Sequence, residues 1–227
     1  MVKKLSNFSV IIRTRNEEQW VGHAIQSVLD HLYKPEIIII DNNSSDKTLE
    51  IVNQFAEDPL LNSDSTKYTK VKIFNINNYS PGRSLNFGVM KSTKKNILII
   101  SAHCILKKFS ETQILKSLKN YVCVFGNQIP VYRGKKITKR YIWSHFSEKK
   151  CLNMFSQLEN RYFLHNALAV YRKDILKKYP FDPNLTGKED RYWAIKIVKQ
   201  KLNYLYEPTL TAEHQYTNNG NTWKGIG

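Results

Sequence analysis

The sequence predicts an α/β fold, a mostly parallel central sheet with helices on both faces. Three observations carry that expectation. Short, largely apolar runs recur along the first hundred residues. Segments of helical period lie between them. The run ends are polar. A strand that is apolar along its length is buried on both faces, as in a parallel sheet covered by crossover helices.

The elements follow in order. Phe8 to Ile12 is the first strand. Trp20, Val21, Ala24, Ile25, Val28, Leu29 and Leu32 then form one apolar stripe, which predicts a helix that Pro35 ends. Ile37 to Ile40 is the second strand. Asn42 to Ser45 is a turn rich in capping residues, with a helix after it through Leu49, Val52, Phe55 and Ala56. Residues 57–69 read as a polar loop. Val71 to Phe74 is the third strand, Pro81 to about Ser92 a helix, and Ile97 to Ile100 the fourth strand. Beyond it the pattern weakens. A helix is expected over 108–119, strands at Val122–Phe125 and Ala167–Tyr171, and a helix from Glu189 to Gln200. Residues 133–160 are basic and aromatic without clear period, and the chain after Tyr216 reads as loose.

The 227 residues, 41% of them hydrophobic, suffice for one sizeable domain, and disorder over most of the length is excluded. No apolar run approaches the roughly 18 residues a spanning helix needs. The short apolar stretch near the N-terminus runs at once into the charged RTRNEE, which argues against a signal peptide. Three widely spaced cysteines with no CxxC pair fit a reducing cytoplasm. Residues 1–60 carry 6 Lys+Arg against 9 Asp+Glu, whereas residues 61–227 carry 29 against 10. That excess fits either a solvated Lys-rich surface or a polyanionic partner, such as phosphates, an anionic membrane surface or nucleic acid.

In parallel α/β sheets, ligands bind outside the carboxyl ends of the strands. Here those ends read Arg13-Thr14-Arg15, Asp41-Asn42-Asn43 and Ser101-Ala102-His103. Arg13 and Arg15 have the guanidinium geometry for a diphosphate. Arg83 follows Pro81-Gly82 at a helix start, a natural anion site. Asp41 is either a ligand for sugar hydroxyls and base N–H groups or a turn-forming Asx. Asp46 reads as a helix cap. Glu189-Asp190 opens a helix, where acids are also favoured by the dipole. His165-Asn166 is a candidate acceptor-pocket pair.

These blocks resemble family 2 of the glycosyltransferases, an inverting group with the Rossmann-like GT-A fold. FSVIIRTRNEEQWVGHAIQSVL and IIIIDNNSSDKT resemble its opening strand-helix-strand. SPGRSLNFGV, GKEDRYWA and AEHQY follow in the family's order, and the resemblance covers roughly residues 7–216. It implies one GT-A domain over 1–227, with a nucleotide-sugar-binding half, 1–104, and an acceptor-binding half, 105–227. It implies a nucleotide-sugar donor and a saccharide or lipid-linked saccharide acceptor, as in bacterial surface polysaccharide assembly. Asp190 would be the general base, and Asp41 would hold the base or ribose. Thr14, Arg15, Glu17, Arg83, Ser101 and His103 would serve the donor, and Glu189, His165 and Asn166 the acceptor. His103 and His214 match family metal positions. The chain departs from the family at Ser101-Ala102-His103, where an acidic DxD pair is usual. A divalent cation, Mn²⁺ or Mg²⁺, is still implied. Imidazole ligands favour the Mn²⁺ type, because Mg²⁺ prefers oxygen.

Two other functions compete. A nucleotidyltransferase would carry a Gly-rich phosphate loop after the first strand, and RTRNEEQW has no glycine before Gly22. A basic nucleic-acid-binding domain has no need of ordered acids at Asp41 and Asp190, so no nucleic-acid partner is expected.

Overall fold

The computed structural model describes residues 5–57, 70–218, 220 and 223. The first half alternates strand and helix: β1 (Phe8–Thr14), α1 (Val21–His31), β2 (Glu36–Asp41), α2 (Thr48–Glu57), β3 (Lys70–Asn75), α3 (Pro81–Lys91) and β4 (Asn96–Ile100). Each predicted element of this half is present. The polar loop expected over 57–69 lies almost wholly outside the described residues. The second half contains β5 (Cys104–Lys108), α4 (Glu111–Ser117), β6 (Cys123–Tyr132), β7 (Lys135–Lys136), a 3₁₀ turn (Tyr141–His145), β8 (Cys151–Leu152), β9 (Phe155–Ser156), β10 (Arg161–Tyr162), β11 (Leu168–Arg172), α5 (Lys173–Lys178), α6 (Glu189–Lys199) and β12 (Tyr204–Gln215).

The main path of the large sheet runs β3-β2-β1-β4-β11-β6-β12-β5. The β3-β2-β1-β4 part is parallel throughout. β11 then pairs antiparallel with both β4 and β6, β12 runs parallel to β6, and β5 closes the edge antiparallel to β12. Two core clusters lie on the two faces, and alternate residues of each strand feed them. Ile11, Ile38, Ile40, Ile97 and Ile99 pack with Leu85 and Val89 of α3 and Trp193 and Ile197 of α6. Val10, Ile12, Ile37, Ile39 and Leu98 pack with Val21, Ile25 and Val28 of α1.

The second half corrects the sequence reading in three places. The helix expected over 108–119 is shorter, because Cys104–Lys108 pairs along β12 as an edge strand instead. The strand expected at 122–125 continues to Tyr132, through Pro130. The tail is not loose at Trp223, which is buried against Trp143.

Three features of the fold set up the site. The parallel register places Thr14 opposite Asp41 and Asp41 opposite Asn75, so β1, β2 and β3 end level. The pairing of β12 with β5 sets His214 opposite Cys104, with the Gln215 N–H donating to the His103 carbonyl at 2.9 Å. The start of α3 is covered by the 181–183 segment. A Cβ at Gly82 would stand 2.2 Å from the Asp182 carbonyl oxygen, so only glycine allows this approach.

Candidate functional site

A cleft of about 460 Å³ opens at the carboxyl ends of β1 and β4, lined by Arg13, Thr14, Arg15, Asn16, Glu17, Asn42, Tyr79, Ser101, Ala102, His103 and Gly220. It lies where ligands sit in open α/β sheets.

One wall is built by two loops bonded to each other. Asp41 ends β2 fully buried, and its carboxylate accepts from the Thr14 hydroxyl at 2.8 Å, the Ser44 N–H at 2.9 Å and the Ser44 hydroxyl at 2.6 Å. The Ser44 oxygen accepts in turn from the Asn16 N–H at 2.9 Å, and Asn16 Oδ1 accepts from the Ser45 N–H at 2.8 Å. Further along, the Glu17 N–H donates to Thr48 Oγ1, the Glu18 N–H to Asp46, and the Lys47 N–H to Glu18. Burial alone would raise the Asp46 carboxyl, but bonds from the Thr48 hydroxyl and N–H hold it below its ordinary value. Asn16 and Asn43 take left-handed backbone at φ 54° and 51°, a conformation asparagine tolerates.

A second group is made of imidazoles. His103 Nδ1 lies 2.8 Å from Glu17 Oε1. Its ring centroid is 4.8 Å from that of His214. His214 is fully buried, with Nδ1 2.9 Å from Gln128 Oε1, and its Nε2 has no hydrogen-bond partner among the described residues. Gln128 also reaches His165 Nδ1 at 3.0 Å. Burial foremost, then His103 and His165, pushes His214 well below the ordinary imidazole range. Burial therefore disfavours a charged His214. Arg13 and Arg15 place two guanidinium groups in the lining of the cleft. Arg83 is not among the lining residues. Its N–H donates to the Ser80 hydroxyl oxygen, which caps the helix.

The acidic pair comes third. Glu189 and Asp190 open α6 and are both buried. Asp190 accepts from Arg191 Nη1 at 2.9 Å and from the Asn166 N–H at 3.0 Å. Burial alone would raise its carboxyl, but the Arg191 guanidinium foremost holds it below the ordinary value. Glu189 goes the other way. Burial raises it, the neighbouring Asp190 adds to the rise, and Arg13 offsets the shift only in part. Glu189 Oε1 is 3.4 Å from Arg13 Nη1 and 3.3 Å from Asn166 Nδ2. Arg13 therefore joins the cleft to the acidic pair.

The structure thus gathers Arg13, Thr14, Arg15, Glu17, Ser101 and His103 around one cleft, with Asp41 beneath it. Glu189 connects to the cleft through Arg13, and His214 and His165 through His103 and Gln128. Tyr79, Gln128 and Arg191 were absent from the sequence reading. Tyr79 sits just before the recognisable SPGR. Gln128 carries no local signal, because its partners are 37 and 86 residues away.

Among the described residues, no three or more His, Cys, Asp or Glu side chains gather as a ready-made metal site. No described helix is long and apolar enough to cross a membrane.

Comparisons with known proteins bear on the family and the fold. A family model for glycosyl transferase family 2 matches residues 9–180. The chain is 24% identical over 212 residues to a GalNAc(5)-diNAcBac-PP-undecaprenol β-1,3-glucosyltransferase of Campylobacter jejuni, over 89% of this chain and 63% of that protein. It is 22% identical to the O-antigen chain rhamnosyltransferase RfbN of Salmonella typhimurium, over 92% and 67%. Among solved structures, residues 1–349 of TarS from S. aureus in complex with UDP-GlcNAc match with a TM-score of 0.68 at 16% identity, over 96% of this chain and 61% of that one. GalNAc-T7 with UDP, GalNAc and Mn²⁺ matches with a TM-score of 0.71 at 16% identity, over 96% and 45%. The chain thus spans about two thirds or less of the length of each of these four proteins. With the family model covering most of its length, the chain belongs to glycosyl transferase family 2.

Proposed function

We propose that this chain transfers a sugar from a nucleotide-sugar donor to an acceptor hydroxyl with inversion at the anomeric carbon. The observation that carries the reading is the placement of the cleft. Arg13, Arg15 and the Asp41–Ser44–Asn16 lattice stand at the strand ends, and the Glu189-Asp190 pair joins them through Arg13. The nucleotide belongs to the 1–104 half and the acceptor to the 105–227 half.

The reaction is a single in-line displacement. The acceptor hydroxyl attacks the anomeric carbon, Asp190 takes its proton, and the nucleoside diphosphate leaves. Asp190 is suited to stay ionised, beside Arg191 and at the N-terminal end of α6, where the helix dipole favours a negative charge. Arg13 and Arg15 offset the charge that develops on the diphosphate. His165 and Asn166 belong to the acceptor side, where Asn166 holds both acids at once.

A divalent cation fits these residues as a shared site. Nε2 of buried His214, which has no hydrogen-bond partner among the described residues, and His103 beside it would hold such a cation, of the Mn²⁺ type, together with oxygens of the donor diphosphate. When bound, such a cation supplies Lewis-acid stabilisation of the leaving group. Two similar structures were solved with Mn²⁺ and a nucleotide or nucleotide sugar.

The experiment is a thermal-shift screen of UDP, GDP, CMP and dTDP sugars, with and without Mn²⁺. A ligand at about a hundred times its Kd stabilises by about 2.7 kcal/mol, roughly 5–10 °C for a domain of this size. The expected result is a shift for one nucleotide class, enlarged by Mn²⁺. No shift with any of them removes the donor site.

The acceptor is a saccharide or lipid-linked saccharide, and the chain works at the cytoplasmic face of a membrane. The undecaprenol-linked acceptor in the name of the Campylobacter relative and the basic excess over residues 61–227 support this. Co-sedimentation with anionic vesicles is expected at low salt and lost at high salt. Equal binding to neutral vesicles would leave the lysines as solvated surface.

A further inference from the structure

We infer that Gln128 is a positioning residue that sets the tautomers of His165 and His214, leaving His214 Nε2 an unprotonated lone pair in the imidazole cluster beside the cleft. The tautomers follow from one fixed donor. The Ala167 backbone N–H lies 3.3 Å from His165 Nδ1, and a backbone N–H can only donate. His165 Nδ1 is therefore an acceptor and carries no proton. Gln128 must turn its NH₂ to that nitrogen, at 3.0 Å. The reversed amide would set a carbonyl oxygen against the imidazole lone pair. The amide oxygen then faces His214 Nδ1 at 2.9 Å, so that nitrogen must carry the proton. In neutral His214 the remaining Nε2 is a bare lone pair, and nothing among the described residues donates to it.

Both rings are held neutral. His165 Nδ1 accepts from the Ala167 N–H and so carries no second proton, and His214 is fully buried with no described acceptor at Nε2, where a proton would be an unpaired donor. With no ring protonated, only the tautomer is left to decide, and a single amide decides it for both. Gln128 is itself fully buried on β6, in register with Ala212 of β12, so it has little room to rotate. A buried partner that orients an imidazole and fixes its proton is what a metal- or phosphate-facing histidine needs. This functional consequence rests on the donor-cleft reading, whereas the tautomers do not.

Long-range ¹H–¹⁵N correlation spectra of the labelled chain test the inference, with each ring assigned by a single His→Gln variant. In the unaltered protein His214 is expected to carry its proton on Nδ1 and His165 on Nε2. In Gln128→Glu, His214 keeps Nδ1–H, because a carboxylate still accepts from it. In Gln128→Met that acceptor is gone, and His214 is expected to move to Nε2–H or to average between the two forms. Transfer by Gln128→Met is expected to fall about 10- to 100-fold. An Nε2–H His214 in the unaltered protein overturns the inference, and so does an unchanged His214 pattern in Gln128→Met. Full transfer by a Gln128→Met chain whose His214 has switched overturns the functional half. If the Met variant does not fold, the unaltered chain and Gln128→Glu still decide. Failure of every nucleotide to bind would sink the donor-cleft reading and leave the tautomers standing.

Discussion

Asp190→Asn is expected to lower sugar transfer by ~10²–10⁴-fold while leaving donor affinity in place, the cost of removing a general base. The amide keeps the shape and can still accept from the Asn166 N–H, which lies 3.0 Å from Asp190 Oδ2. It cannot take a proton from an attacking hydroxyl. The comparison that matters is Glu189→Gln, because the two adjacent acids are shifted in opposite directions. Arg191 holds Asp190 below the ordinary carboxylate range against its burial, whereas burial and Asp190 hold Glu189 above it. A base must be deprotonated to act, so activity falls as pH drops through its folded pKa. With Asp190 as base, that acid limb lies below the ordinary carboxylate range. With Glu189 as base, it lies above. A pH–rate profile of the unaltered chain, read with the two variants, separates them. Turnover that survives Asp190→Asn but not Glu189→Gln, with the limb on the high side, moves the base to Glu189.

Asp41→Ala is expected to weaken nucleotide binding by about tenfold or more, from the loss of about 1.5–3 kcal/mol in charge-assisted hydrogen bonds. The loss is transmitted through the loop lattice. Asp41 is fully buried, and its oxygens are taken by Thr14 and Ser44. Without it, Ser44 loses the group that fixes it against Asn16, and the wall formed by residues 14–17 and 42–46 loosens. Thermal stability should fall in the same variant, because the buried Thr14 hydroxyl is left without its acceptor. Calorimetric titration and a melting curve check the two effects together. A lowered Tm with unchanged nucleotide affinity would confine Asp41 to the fold and take it out of donor binding.

How much was legible in the sequence depended on the range of the interactions. The parallel half was legible because its signals are local. The Phe8–Ile12 and Ile37–Ile40 runs, the stripe from Trp20 to Leu32 and the capping turn at Asn42–Ser45 each declare themselves within a few residues. The level strand ends then followed from the fold class, and with them the grouping of Arg13, Thr14, Arg15, Ser101 and His103. The edge strand β5 was not legible. Cys104–Lys108 is too short and mixed to signal a strand, and it is one because β12 pairs along it a hundred residues later. The same holds for the chemistry of the site. The sequence marked Glu189 and Asp190 as an acidic pair, but their opposite shifts are set by burial and the neighbouring Asp190 at Glu189 and by Arg191 at Asp190. It marked His214 as a ligand candidate, but the protonation of that ring is set by burial and by Gln128. Residue type and spacing thus determined the fold class and part of the lining of the cleft, leaving Tyr79 unmarked and marking Arg83, which does not line it. The charge state, tautomer and partner of each group came from the tertiary structure, because desolvation and hydrogen bonding depend on side chains that only the fold brings within 3 Å.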